Sequence, residues 1–175
     1  MFHKILVALD KSEFRKPVFH EALDLAKVCN STLKLLHVLS LEEQDDLSIP
    51  ISTTRKYFQA FDNRILEIYQ ERWDTWEAQG LELLRSLQSQ ANDAGVSAEI
   101  LQYSGTPGKI ICDVARSWEA DLIVLGRRGY SGIKELLLGS ASNYVLHHAP
   151  CSVLIVQGSI LHKTEVTEET ASVSH

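Results

Sequence analysis

Short apolar runs punctuate the chain, and stretches of helical periodicity separate them. Ile5-Leu6-Val7-Ala8-Leu9 is rich in strand formers and stops at Asp10 and Ser12. Similar runs are Thr32 to Leu39, Ala98 to Tyr103, Leu122 to Leu125 and Val153 to Val156. Continuous apolar runs of this length suit strands buried on both faces. Between the first two, Pro17 suits a first helical turn, and Val18, Ala22, Leu25, Ala26 and Cys29 recur at helical spacing up to Asn30-Ser31. Pro107 opens a helix carrying Ile110, Ile111, Val114, Ala115 and Trp118 on one side. Another helix is expected within Ile133 to His148, stopped at Pro150. Strands alternating with helices predict an α/β fold: one open five-stranded parallel sheet, Rossmann-like, with helices on both faces and right-handed crossovers.

One interval is too long for a minimal α/β unit. Leu41 to Thr54 is polar, contains Pro50 and reads as a loop. From Phe58 through Phe61, Ile65, Tyr69, Trp73, Trp76, Gly80, Leu83, Leu87 and Ala91 to Ala94, apolar or small residues recur every three or four positions. An unbroken helix would extend roughly 55 Å at 1.5 Å per residue. It is expected to bend, to break near Gly80, or to project and pack on a partner. The organisation expected is one nucleotide-binding domain over 1–157, with a 41–79 insertion of loop and long helix, and a flexible tail over 158–175 that is rich in Thr, Ser and Glu.

Composition narrows the function. The net charge is -6 and the basic residues do not cluster beyond Arg127-Arg128, which argues against nucleic acid as a partner. A small phosphate ligand remains compatible, because backbone N–H groups can hold it. Cys29, Cys112 and Cys151 are far apart, lack metal or redox spacing, and read as buried free thiols of a reducing compartment. Met1 leads directly into an apolar strand, without a signal peptide or a run able to span a bilayer, so a cytoplasmic protein with no membrane partner is expected.

Candidate chemistry gathers where strands end. Open α/β sheets bind ligands past the C-terminal ends of their strands, where strand order reverses. This directs attention to Leu9-Asp10, Val38-Leu39 and Leu125-Gly126. Gly126-Arg127-Arg128-Gly129 follows a strand, and nine residues later come Gly139-Ser140. The glycines permit close approach of a ligand to the main chain. Ser140 and Ser142 stand where a helix begins, and its N–H groups and dipole favour phosphate. Asp10 could meet a ribose hydroxyl or a divalent ion bridging phosphates. On spacing alone, a pair of ordinary turns explains the glycines better than a nucleotide site does. Other signals carry less. Gly108-Lys109 lacks the P-loop pattern, His147-His148 is poor metal spacing, His37 reads as packed, and no Ser/His/Asp set is legible.

The stretch Gly126 to Val156, GRRGYSGIKELLLGSASNYVLHHAPCSVLIV, resembles the C-terminal signature of the universal stress protein family. Gly126, Gly129, Gly139 and Ser140 match the G-2x-G-9x-G-(S/T) pattern of its ATP-binding branch. KILVALDKSE resembles the family's first strand and acidic turn, Leu36-His37-Val38 its second strand end, and Gly105-Thr106-Pro107 its turn into the third crossover helix. The resemblance implies a fold of the adenine nucleotide alpha hydrolase-like kind and a bound ATP or related adenine nucleotide, with Mg or Mn accompanying it. It places Ala8, Leu9 and Asp10 beside the adenosine, with Asp10 near the ribose, and Val38 against adenine through its backbone. Gly126, Arg127, Arg128 and Gly129, followed by Tyr130, Ser131 and Gly132, would wrap the ribose and first phosphate. Ser140, Ala141 and Ser142 would hold the distal phosphates. The function implied is a nucleotide-binding regulatory module in stress response, a homodimer through its last strand that signals to a regulatory protein partner. A slow ATPase or phosphotransfer protein, and a structural dimer with a vestigial site, are the alternatives.

Overall fold

The structure, a computed structural model, describes residues 1–13, 15–40, 63–127 and 138–157, with side chains from residue 70 onward in the third stretch. The element order is β1 (Lys4–Leu9), α1 (Arg15–Cys29), β2 (Thr32–Leu39), α2 (Asn63–Asp93), β3 (Ala98–Ser104), α3 (Pro107–Trp118), β4 (Leu122–Gly126), α4 (Ser140–His148) and β5 (Ser152–Val156). All five strands are parallel and lie in the order β3-β2-β1-β4-β5. The expected sheet is therefore present, and strand order reverses between β1 and β4.

Alternation along the strands sends side chains into two cores. Ile5, Val7, Leu33 and Leu35 pack with Phe19 and Ala22 of α1 and with Leu84 and Ala91 of α2. Leu6, Leu36, Val38, Ile123 and Leu125 pack with Ile111 and Ala115 of α3 and Val145 of α4. Helix ends follow local chemistry. Asn30 closes α1 at φ 55°, and the Ser31 N–H returns to the Ala26 carbonyl at 3.0 Å. Glu119 closes α3 in the same left-handed conformation.

One expectation about helices changes and another holds. First, α2 is one helix of 31 residues, about 46 Å long, and it does not break at Gly80. A Cβ at Gly80 would lie 2.6 Å from His37 Nδ1 and 2.6 Å from Gln102 Nε2. This glycine lets the helix backbone approach β2 and β3, rather than ending the helix. Leu84, Leu87 and Ala91 are buried beyond it, whereas residues 70–79 are exposed apart from half-buried Trp73 and Trp76. Phe58, Phe61 and the 41–62 part of the expected insertion lie outside the described residues, as does the 158–175 tail. Second, the helix expected within Ile133 to His148 is α4, and it begins at Ser140, the expected helix start. Gly139 is extended at φ -60°, ψ 157° and acts as the N-cap, and residues 133–137 lie outside the described residues.

The cysteines are free, but only Cys112 is buried; Cys29 and Cys151 are half-buried. Cys29 is the last residue of α1, where the helix leaves the core. Burial pushes the Cys112 and Cys151 thiols up. Among the described residues no helix is long and apolar enough to cross a membrane.

Candidate functional site

The reversal of strand order opens a crevice beyond the C-terminal ends of β1 and β4. Its first wall is the turn after β1. Asp10 Oδ1 accepts from the Ser12 backbone N–H at 3.0 Å and from Ser12 Oγ at 2.5 Å. This side-chain turn fixes the chain direction as it leaves the strand. Arg15 adds a clamp, donating from Nη1 to the carbonyls of Lys11 at 2.6 Å and Ser12 at 2.9 Å. Lys11 reaches the other way, donating from Nζ to the Trp76 carbonyl at 3.2 Å and to Gln79 Oε1 at 3.4 Å. Its ammonium also lies 5.0 Å from the Trp76 ring centre, and Trp76 meets Trp73 edge-on at 5.4 Å. The site turn is thus tied to α2, just beyond the Gly80 contact.

The second wall is built at the β4 end. The Arg127 N–H donates to the Val156 carbonyl at 3.0 Å, and the Gly139 N–H donates to the Arg127 carbonyl at 3.0 Å. Buried Ser142 donates from Oγ to the Gly126 carbonyl at 2.7 Å. These bonds hold Gly126 and Arg127 side by side with Gly139 and Ser142 at the top of β4. Helix α4 then starts at Gly139 with no side-chain cap bond. Its first intrahelical bond runs from the Asn143 N–H to the Gly139 carbonyl at 2.9 Å. The N–H groups of Ala141 and Ser142 precede that bond and have no acceptor within the helix. They stand at the positive end of the helix dipole, where an anion is stabilised.

Of the expected site residues, Ala8, Leu9, Asp10, Val38, Gly126, Arg127, Gly139, Ser140, Ala141 and Ser142 are all at this end of the sheet or on α4. Leu9 is buried, with its side chain on the α1/α2 core rather than toward α4. Arg128, Gly129, Tyr130, Ser131 and Gly132 lie outside the described residues. Among the described residues no group of three or more His, Cys, Asp and Glu side chains gathers as a metal site. Sequence reading passed over Arg15 and Lys11. Arg15 and Lys11 look like ordinary surface charges, and only the fold shows what they hold.

The sequence pattern of the universal stress protein family matches residues 1–157. The chain belongs to the universal stress protein family. It is 42% identical over 156 residues to universal stress protein Sll1388 of Synechocystis, covering 89% of this chain and 98% of that protein. Among solved structures it is similar to universal stress protein UspA from Lactobacillus plantarum, with a TM-score of 0.70, 26% identity, and coverage of 89% of this chain and 97% of that one. It also shares the fold of an Arabidopsis thaliana universal stress protein family protein solved with AMP bound, with a TM-score of 0.60, 20% identity, and coverage of 90% and 93%. The family accounts for the parallel sheet.

Proposed function

We propose that this universal stress protein binds ATP or a related adenine nucleotide at the β1/β4 crevice and acts as a regulatory module in stress response. One observation carries the reading. Gly126 and Arg127 are bonded to Gly139 and Ser142, directly beside an α4 N-terminus without a side-chain cap. A glycine-bearing loop on a fixed base, next to inward N–H donors, is what a phosphate chain requires. The AMP complex of the Arabidopsis relative supports the same ligand class.

In this reading the backbone of Ala8 and the Asp10 carboxylate meet the ribose, and Val38 meets adenine through its backbone. Gly126 to Gly132 wrap the ribose and first phosphate, with Arg127 and Arg128 adding positive charge. Ser140, Ala141 and Ser142 hold the distal phosphates, chiefly through main-chain N–H groups, since the Ser142 hydroxyl proton is engaged with Gly126. Were a Mg or Mn ion to accompany the nucleotide, Asp10 would be the residue to hold it, and the ion would offset phosphate charge. Nucleotide occupancy is passed to a regulatory partner by a shape change.

Calorimetry with ATP, ADP, AMP and GTP on the purified protein tests the proposal. Adenine nucleotides are expected to bind, and Gly129→Val to lower ATP affinity by about tenfold or more while leaving the circular dichroism spectrum intact. Binding that is equal in the Gly129→Val protein would remove the phosphate assignment.

A further inference from the structure

Strand register aligns a row of residues across the top of the sheet. Leu9 is level with His37, Val38 with Tyr103, and Ala8 with Leu125. Carrying the β1 registers forward puts Asp10 level with Val38 on one side and with Arg127 on the other. The row Tyr103, Val38, Asp10, Arg127 therefore crosses β3, β2, β1 and β4 in order. At about 4.8 Å between neighbouring strands it spans about 14 Å, comparable with a nucleotide laid out from base to phosphate.

The ends of the row differ in chemistry. At the β4 end stand the clasped Gly126 and Arg127 and the start of α4. At the β3 end stands Tyr103, an aromatic side chain 49% exposed. Residues level with one another in a parallel pair point to the same face. Val38 packs in the core shared with α3 and α4, and Leu101, two residues before Tyr103, packs against that core too. Tyr103 thus lies on the face that carries α4, and a ligand running from α4 across β1 and β2 ends over it. The neighbouring positions leave room there. Gly105 turns the chain at φ +143°, and Ser104, Gly105 and Thr106 are exposed.

We infer that Tyr103 is the base-contacting residue of the site, holding the purine ring against its aromatic face at the end of the row. The inference rests on the nucleotide reading above and adds a residue to it. Stacking is tolerant of base identity, because every base presents a π-face. Tyr103 therefore contributes affinity for base-bearing ligands, and the polar edges near Val38 select adenine.

Calorimetry on the full chain tests this with ATP and AMP against the unaltered protein, Tyr103→Ala and Tyr103→Phe. Tyr103 is exposed, so truncation is expected to leave the apo melting temperature nearly unchanged. Tyr103→Ala should weaken both nucleotides by about tenfold, and Tyr103→Phe should retain the affinity. With fluorotyrosine incorporated, the resonance missing from the Tyr103→Phe protein should shift on adding ATP. If the unaltered protein binds neither ATP nor AMP, the nucleotide reading falls and this inference with it. If the unaltered protein binds and Tyr103→Ala binds equally well, the Tyr103 assignment alone is overturned.

Discussion

The Ser142 hydroxyl donates to the Gly126 carbonyl at 2.7 Å, joining the first turn of α4 to the end of β4 across sixteen residues. Ser142 is 3% exposed, so this bond is made away from water. Its removal leaves a carbonyl short of a partner and unties Gly126 from Ser142. Ser142→Ala is expected to lower stability by about 1 kcal/mol or more in urea unfolding. ATP affinity should fall several-fold, with Ser142→Thr closer to the unaltered protein. Equal ATP affinity in calorimetry would separate the clasp from the ligand site.

Gly80→Ala sets two effects against each other. Alanine gains about 1 kcal/mol in a helix interior over glycine. Here its Cβ would sit 2.6 Å from His37 Nδ1 and from Gln102 Nε2. Gln102 is the end of a flexible side chain and can turn away. His37 is fully buried and cannot. The clash is expected to win, with a net loss of about 1–2 kcal/mol in urea unfolding. A stabilised Gly80→Ala protein would show that α2 can lift off the sheet without cost.

Asp121 fastens the start of β1. Its Oδ2 accepts from the backbone N–H groups of His3 at 2.7 Å and Lys4 at 2.8 Å. These donors hold its carboxyl below the usual range. A depressed folded value contributes stability that is present above the unfolded value and lost as pH falls through the folded one. The loss therefore falls below about pH 4. Asp121→Asn should lower stability at pH 7 and flatten the acid limb of a stability profile measured by urea unfolding from pH 7 to pH 2.5. An acid limb of unchanged steepness would remove Asp121 from the account.

Much of this was legible because the strands are unbroken apolar runs. The observed strands extend four of the five expected runs by a polar or small residue, at Lys4, Ser104, Gly126 and Ser152, while β2 keeps the expected Thr32 to Leu39. Backbone pairing, not side-chain hydrophobicity, decides those ends. Gly80 was misleading because sequence shows a glycine's missing side chain without showing what occupies the space. The start of α4 was legible at Gly139-Ser140, and Gly139 is extended there as the N-cap. Glycine spacing marked the loop, but spacing is silent on strand order. Without the order β3-β2-β1-β4-β5 and its registers, nothing places Tyr103 level with Val38 and Asp10. Lys11 and Arg15 were hidden for the same reason, since their partners are carbonyl groups that any sequence possesses.

The last strand carries the remaining prediction. β5 pairs with β4 on one side and forms the edge of the described sheet. Its side chains alternate, with Ser152 and Leu154 exposed and Val153 and Ile155 half-buried. Leu154 is 38% exposed, and Tyr144 and Leu146 on neighbouring α4 are exposed at 36% and 45%. A free edge with apolar side chains is open to pairing, and a monomer that had to remain soluble would be expected to protect it with charge or proline. A two-fold pairing through β5 would cover the strand, since the same edge meets itself. The protein is therefore expected to sediment as a homodimer across a dilution series. Leu154→Glu would place one carboxylate on each copy near the two-fold axis, where like charges repel across a partly desolvated contact. It is expected to raise the dimer dissociation constant by about tenfold or more while leaving the monomer folded. A monomer at tens of micromolar would refute the pairing. A dimer that ignores Leu154→Glu but is lost in Trp73→Ala would move the interface to α2, whose half-buried tryptophans stand beyond the sheet.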